Sequence, residues 1–322
     1  MGLTALPLDD GRWNPGFAPL VQSAVFRTLS DLDEQAPSLA KEVVEWLGSH
    51  CDVTRPHEYF THPESLPFLA LPFWLETSFR GVVDLEFQYD LIYASVNGYY
   101  FVRMLDDATD RHDISPSVLP ALGIFHMNLQ RSFAQCFDQA HAFWDFFRSV
   151  WSASAEITSI DLRSQDISES DFMQQSGRKA VGATLPLGAV CYRYERCDLL
   201  PKWLSFFDKL ARWNQMKDDF LDWGKDCAAG RATWLLCEAR RRKAAAESVA
   251  SWMGRAGVHW ATERLEIWMN ELIANAQLLQ SHELVEYLHV RSTSLAEQVN
   301  VIKRSIEAWT ACLESVAGET KA

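Results

Sequence analysis

The sequence predicts an all-α fold, and three observations carry that reading. Beyond about residue 35 the apolar residues recur at three- and four-residue spacings, strict alternation is scarce, and Pro and Gly mostly fall between the periodic segments. SLAKEVVEWLGSH (38–50) reads as one helix and GVVDLEFQYDLIYASVNGYYFVRMLDDATD (81–110) as a long one. Helical patterns continue over 117–150, 168–198, 201–225, 231–253, 257–279 and 283–316, punctuated by Pro116, Pro120, Pro201, Gly230 and Gly257. Pro186 lies inside 168–198 together with Gly177, Gly182 and Gly188, so that helix is expected to be kinked or broken. Residues 1–34 are expected to be an irregular N-terminal segment. No internal repeat, low-complexity linker or shift in composition marks a boundary, so residues 1–322 read as one α-helical domain.

A chain of 322 residues, 48% of them apolar, has enough material for a sizeable core. Its formal charge of −13 is spread along the sequence, which argues against nucleic acid as a partner. No apolar run reaches the ~18 residues of a membrane span, and the N-terminus lacks a basic region followed by an apolar core. The seven cysteines, Cys51, Cys136, Cys191, Cys197, Cys227, Cys237 and Cys312, form no C-x-x-C pair. The expectation is a soluble cytoplasmic protein with reduced thiols. The 13 Trp, 18 Phe and 8 Tyr serve either a bulky helical core or a pocket whose ring faces stabilise a cation; composition alone favours the core.

Two acidic clusters carry the chemistry. In FVRMLDDATDRHD (101–113) a helical segment runs into Asp106, Asp107 and Asp110. Roughly a hundred residues later WNQMKDDFLDWGKD places Asp218, Asp222 and Asp226 at i, i+4 and i+8, with Asp219 beside them, so three carboxylates share one helix face. Like charges at i, i+4 cost a few tenths of a kcal/mol per pair. Divalent cations offset that cost, and Mg²⁺ is typically held by one or two carboxylates together with water and substrate phosphate. A single such cluster is most simply a solvated acidic turn. Two of them, each on a long amphipathic helix, are better explained by opposed faces that trap metal between them.

These residues resemble the class I isoprenoid synthase superfamily, which includes trans-prenyl diphosphate synthases and class I terpene cyclases. Asp106-Asp107-Ala108-Thr109-Asp110 matches its aspartate-rich motif, and Gln215-Met216-Lys217-Asp218-Asp219-Phe220-Leu221-Asp222 is similar to the Q-x-x-D-D-x-x-D of the prenyltransferases. Extended to Asp226, the second cluster also fits the register of the cyclases' N/D-D-x-x-S/T-x-x-x-E. Arg178-Lys179 stands where the family carries a diphosphate-binding cation, and Arg231-Ala232-Thr233 follows the second motif much as K-x-T does in prenyltransferases. The resemblance spans roughly residues 90–240. It implies a helical bundle with a central active-site cavity and a prenyl diphosphate substrate. It further implies a cluster of about three Mg²⁺ ions, held by Asp106, Asp107, Asp110, Asp218, Asp219, Asp222 and Asp226, and often a homodimer.

By the same resemblance Arg178, Lys179 and Arg231 would bind the diphosphate, and Asp106, Asp107, Arg178 and Lys179 would act directly in ionising the substrate. The pocket would be lined by Tyr99, Tyr100, Phe101, Trp213, Gln215 and Gly182, with Phe101 limiting its depth and Gly182 allowing the helix to break. Chain-elongating members also hold a second diphosphate with a G-G-K-R-x-R-P stretch and an arginine pair after the first motif. Here the upstream region offers Arg55-Pro56-His57, and Arg111 is followed by His112. A second diphosphate needs several cations, so the expected reaction is ionisation of one allylic diphosphate by a terpene cyclase; elongation by a prenyltransferase is the alternative.

Three further readings compete. His112-Asp113 is a phosphohydrolase-like dipeptide without a metal-spaced histidine nearby. Asp138-x-x-His141 and Glu286-x-x-His289 suggest a carboxylate-bridged di-iron bundle, yet only the second is a proper Glu-x-x-His. A non-catalytic binding protein that keeps the same fold has to account for two complete acidic motifs.

Overall fold

A computed structural model of the chain describes residues 16–109, 114–161 and 165–319, and among these every regular element is helical. In chain order the helices are α1 (Phe17–Gln35), α2 (Pro37–Leu47), α3 (Glu58–Thr61), α4 (Leu71–Arg80), α5 (Leu85–Thr109), α6 (Ala121–Cys136), α7 (Phe143–Asp161) and α8 (Glu169–Gln175). There follow α9 (Leu185–Arg193), α10 (Leu200–Leu221), α11 (Trp223–Ala228), α12 (Trp234–Arg242), α13 (Val249–Trp252), α14 (Val258–Leu278) and α15 (His282–Glu319). A 3₁₀ segment, Gly177–Thr184, lies between α8 and α9. None of these helices is long and apolar enough to cross a membrane.

The expectation of an irregular segment through residue 34 is not met over 17–34, which is helical in α1. Its buried residues Phe17, Val21, Ala24, Val25, Thr28 and Leu32 follow the three- and four-residue rhythm of a helix face, and that face packs on α5. The pattern over 117–150 divides into α6 and α7, because Cys136–Ala142 turns the chain and His141 Nδ1 accepts from the Phe143 amide at 3.1 Å. That role as a helix-start acceptor accounts for His141 without a metal. Glu286 is likewise engaged, paired to His282 at 3.1 Å.

Local chemistry sets the ends. Asp84 Oδ1 accepts from the Phe87 amide (3.1 Å) where α5 begins, and Ser168 with Asp171 forms a capping box on α8. Gly81 ends α4 at φ +71°, a left-handed conformation that a side chain disfavours. The break inside 168–198 is real and takes 3₁₀ form, with Pro186 in the first turn of α9, where its missing N–H breaks no helical bond.

Buried apolar residues from α1 through α15 form one contiguous core. Helix α5 packs between α1 and α6, the 3₁₀ segment lies against α7 and α10, and α10 also meets α14, which packs on α15. Each fully buried large side chain contributes ~1.5–3 kcal/mol. The aromatic excess goes largely into this core, with Trp74, Trp203, Trp213 and Trp234 among its largest fully buried members.

Candidate functional site

Helix geometry sorts the residues of α5 into stripes. Ser95, Gly98, Tyr99, Val102, Arg103 and Asp106, spaced by three and four, line a cavity of about 670 Å³. Tyr100, Met104 and Asp107 lie on the adjoining buried stripe. Successive residues are about 100° apart around a helix, so the adjacent Asp106 and Asp107 cannot share a direction. Asp107 is 3% exposed; its Oδ2 accepts from Trp46 Nε1 and lies against His50 Nε2, each at 2.9 Å, and Arg103 Nη2 is 3.1 Å from Oδ1. It ties α5 to α2, whereas Asp106 is half exposed at the cavity. Asp110, with Arg111, His112 and Asp113, lies outside the described residues.

Helix α10 repeats the arrangement. Ala211, Asn214, Gln215 and Asp218 form its cavity stripe, while Asp219 is turned inward, 5% exposed, and accepts from Gln215 Nε2 at 2.8 Å. Burial pushes the Asp219 carboxyl up to about 7 against the opposing Gln215 hydrogen bond and Lys179 charge. Asp218 is exposed at the cavity; desolvation by the surrounding protein raises its pKa, with Lys217 and Arg291 opposing. The helix bends at Asp222, but the Asp222 and Asp226 amides still donate to the carbonyls four residues back, both at 2.9 Å. Asp222 is exposed, and Asp226 is buried 3.6 Å from Arg231 Nη1, its pKa raised by burial.

The 3₁₀ segment supplies the facing wall. Lys179 and Gly182 line the cavity; Arg178 and Arg231 are exposed and do not. The packing glycine of this wall is Gly177, where a Cβ would lie 2.6 Å from the Asp208 carbonyl oxygen. At Gly182 a Cβ would meet only Ser154 Oγ at 3.7 Å, so the break does not require glycine there.

Of the residues expected to form the pocket, Tyr99, Gly182 and Gln215 line it. Tyr100 is core, packed on Phe125 and Phe60; Trp213 is core, its Nε1 donating to the Leu265 carbonyl at 3.0 Å. Phe101 stands behind the wall, its ring against His126 and against Trp151, which does line the cavity. The apolar wall comes instead from Phe60, Phe68, Leu129, Phe133, Trp151 and Pro186. Sequence reasoning missed these, and also Glu64, Ser65 and Asn214 on the polar side. Asn214 was within reach, one turn before Asp218 on the same stripe; the loop residues carry no periodic signal.

Among the described residues no group of three or more His, Cys, Asp or Glu comes together as a metal cage. The donor set fits Mg²⁺ in another way. Asp106 and Asp218, from two helices, share one cavity, and two carboxylates completed by water and phosphate oxygens are the usual protein contribution to this ion. Burial raises the pKa of Asp218, Asp219 and Asp226 against the cations near them, and of the three Asp218 borders the cavity. No protein-family model matches the chain, and no curated protein matches it in sequence.

Proposed function

We propose that the chain is a class I terpene synthase with a bundle of the isoprenoid synthase type, acting on a linear allylic prenyl diphosphate, farnesyl or geranylgeranyl diphosphate by preference. The observation that carries this is the shared cavity. Carboxylates from two acidic motifs more than a hundred residues apart border it together with Lys179; Glu64, Ser65, Asn214 and Gln215 add a polar side, and Phe60, Phe68, Tyr99, Leu129, Phe133 and Trp151 an apolar one. Its volume lies within the ~300–1,000 Å³ usual for small-molecule sites.

In this reading Asp106 and Asp218 would hold Mg²⁺, which when bound draws charge from the departing diphosphate. Lys179 binds the diphosphate oxygens as a point charge. Gln215 orients Asp219 behind the metal-facing carboxylate, and Asp107 fixes α5 against α2 so that Asp106 keeps its direction. The faces of Phe60, Phe68, Tyr99 and Trp151 exclude water and offer a cationic hydrocarbon ~0.5–2 kcal/mol each. Among the described residues the basic ones lining the cavity are Arg103 and Lys179, and Arg103 already pairs with Asp106 and Asp107; that supports one diphosphate rather than two, and so ionisation over elongation.

The test is incubation of purified protein and Mg²⁺ with geranyl, farnesyl or geranylgeranyl diphosphate, with and without isopentenyl diphosphate, followed by gas chromatography with mass spectrometry. A hydrocarbon or alcohol made without the five-carbon partner is the expected result. A longer diphosphate made only with it identifies a prenyltransferase, and no release of pyrophosphate under any condition leaves a binding protein.

A further inference from the structure

One buried arginine, far from either acidic motif in sequence, holds a wall of the cavity. Arg291 of α15 is 1% exposed. Its Nη1 lies within hydrogen-bond distance of three successive loop carbonyls, Pro63 (3.3 Å), Glu64 (2.5 Å) and Ser65 (3.1 Å), and of Tyr287 Oη (3.0 Å), which share its two N–H groups, while Nη2 donates to Asn214 Oδ1 (2.5 Å). Tyr287 Oη in turn donates to the Ser65 carbonyl (2.9 Å), and buried Lys217 donates to the Glu64 carboxylate. The loop between α3 and α4 has no helix or sheet to satisfy these carbonyls, and carbonyls shielded from water need partners. A planar guanidinium with five donors can serve several at once, which the single point of a lysine cannot.

The residues so held are cavity residues: Glu64 and Ser65 of the loop, and Asn214. The comparison with Glu76 is instructive. That buried carboxylate accepts from Arg80, Gln88, Tyr194 and the Asp84 amide, joining α4, α5 and α9, yet none of these groups lines the cavity. The Arg291 network instead ends on cavity-lining groups on the loop side and the α10 side. We propose that Arg291 is a positioning residue, which fixes the 62–66 loop and Asn214 as one polar wall of the cavity and thereby sets what the cavity binds. This goes beyond the terpene synthase reading and does not depend on it, since the wall exists whichever diphosphate the cavity takes.

Hydrogen exchange on the full-length protein tests it. The Glu64, Ser65 and Phe68 amides are hydrogen-bonded within the loop, to His62 Nδ1, the His62 carbonyl and the Leu66 carbonyl, so their exchange reports loop order. In Arg291→Met their exchange is expected to accelerate at least about tenfold while the amides of α5 stay protected. KM for farnesyl diphosphate should rise several-fold with a smaller change in kcat. Arg291→Lys, which keeps charge but loses the fork, should recover little of the loop protection. Unchanged exchange in Arg291→Met overturns the proposal, as does a loosened loop with unaltered KM and kcat. Should Arg291→Met fail to fold, Tyr287→Phe removes one bond to the Ser65 carbonyl and is expected to speed exchange about threefold; unaltered protection there is equally decisive. If the wild-type protein turns over none of geranyl, farnesyl and geranylgeranyl diphosphate, the functional reading fails, and the exchange measurement still decides the role of Arg291.

Discussion

Replacing Gly177 by alanine inserts a methyl group between the 3₁₀ segment and α10. The added Cβ lies 2.6 Å from the Asp208 carbonyl oxygen and 2.7 Å from its Cγ. The carboxylate can rotate away, at the expense of its 2.6 Å bond from Arg212, but the backbone oxygen cannot. The segment must therefore lift off α10 by several tenths of an ångström, an overpacking that costs about 1–3 kcal/mol. At roughly 2–4 °C per kcal/mol, Tm should fall by about 2–12 °C. Lys179 is two residues along, and a displacement near 1 Å at a reacting group costs about 10²-fold, so kcat/KM should fall by about one to two orders of magnitude. The matched control is Gly182→Ala, whose Cβ meets only Ser154 Oγ at 3.7 Å; it should leave Tm unchanged or raised, with a gain of ~0.4–1 kcal/mol from a stiffer unfolded chain. Thermal melts and steady-state kinetics on the two variants decide the matter. Equal damage from both, or none from Gly177→Ala, refutes the claim that close approach to Asp208 positions this wall.

Asp106→Ala and Asp218→Ala should each abolish Mg²⁺-dependent pyrophosphate release with circular dichroism unchanged, because both carboxylates face the cavity and neither supports the core. Asp107→Ala, by contrast, takes the buried acceptor from the Trp46 indole and leaves Arg103 with Asp106 alone, and should cost about 3 kcal/mol or more in a urea melt. Gly98→Leu builds into the cavity from a Cβ 3.4 Å from Leu129 Cδ1, so competition assays should show substrate preference shifting toward shorter prenyl diphosphates, with farnesyl losing to geranyl. Arg255 and the Ala244 amide hold the Glu247 carboxyl down to about 2. That contribution to stability is present above the unfolded carboxylate value of ~4.3 and is lost as pH falls through about 2; carbon-13 titration of Arg255→Ala should return the group to the ordinary range.

The sequence by itself determined the helices and pointed to Asp106 and Asp218, the motif carboxylates that border the cavity. Period, proline and glycine placement located α2, α5, α10, α14 and α15 and the break before Pro186, since these follow from local propensity and one apolar face per helix. The α1 face was equally legible in Phe17, Val21, Ala24 and Val25, but went unread in a segment that opens with Gly and Pro. What a sequence cannot state is which side of a helix its neighbours cover. Asp106 and Asp107 are chemically identical and adjacent, yet α2 claims one and the cavity the other. Phe101 and Trp213 carry the right chemistry for a pocket and lie near its motifs, but their side chains point into other packing. Arg291, about seventy residues beyond the second motif, enters the site only because α15 folds back beside α14 and reaches the loop before α4. Helical rotation of about 100° per residue fixes the choices available at each position, and only packing among the helices selects one of them.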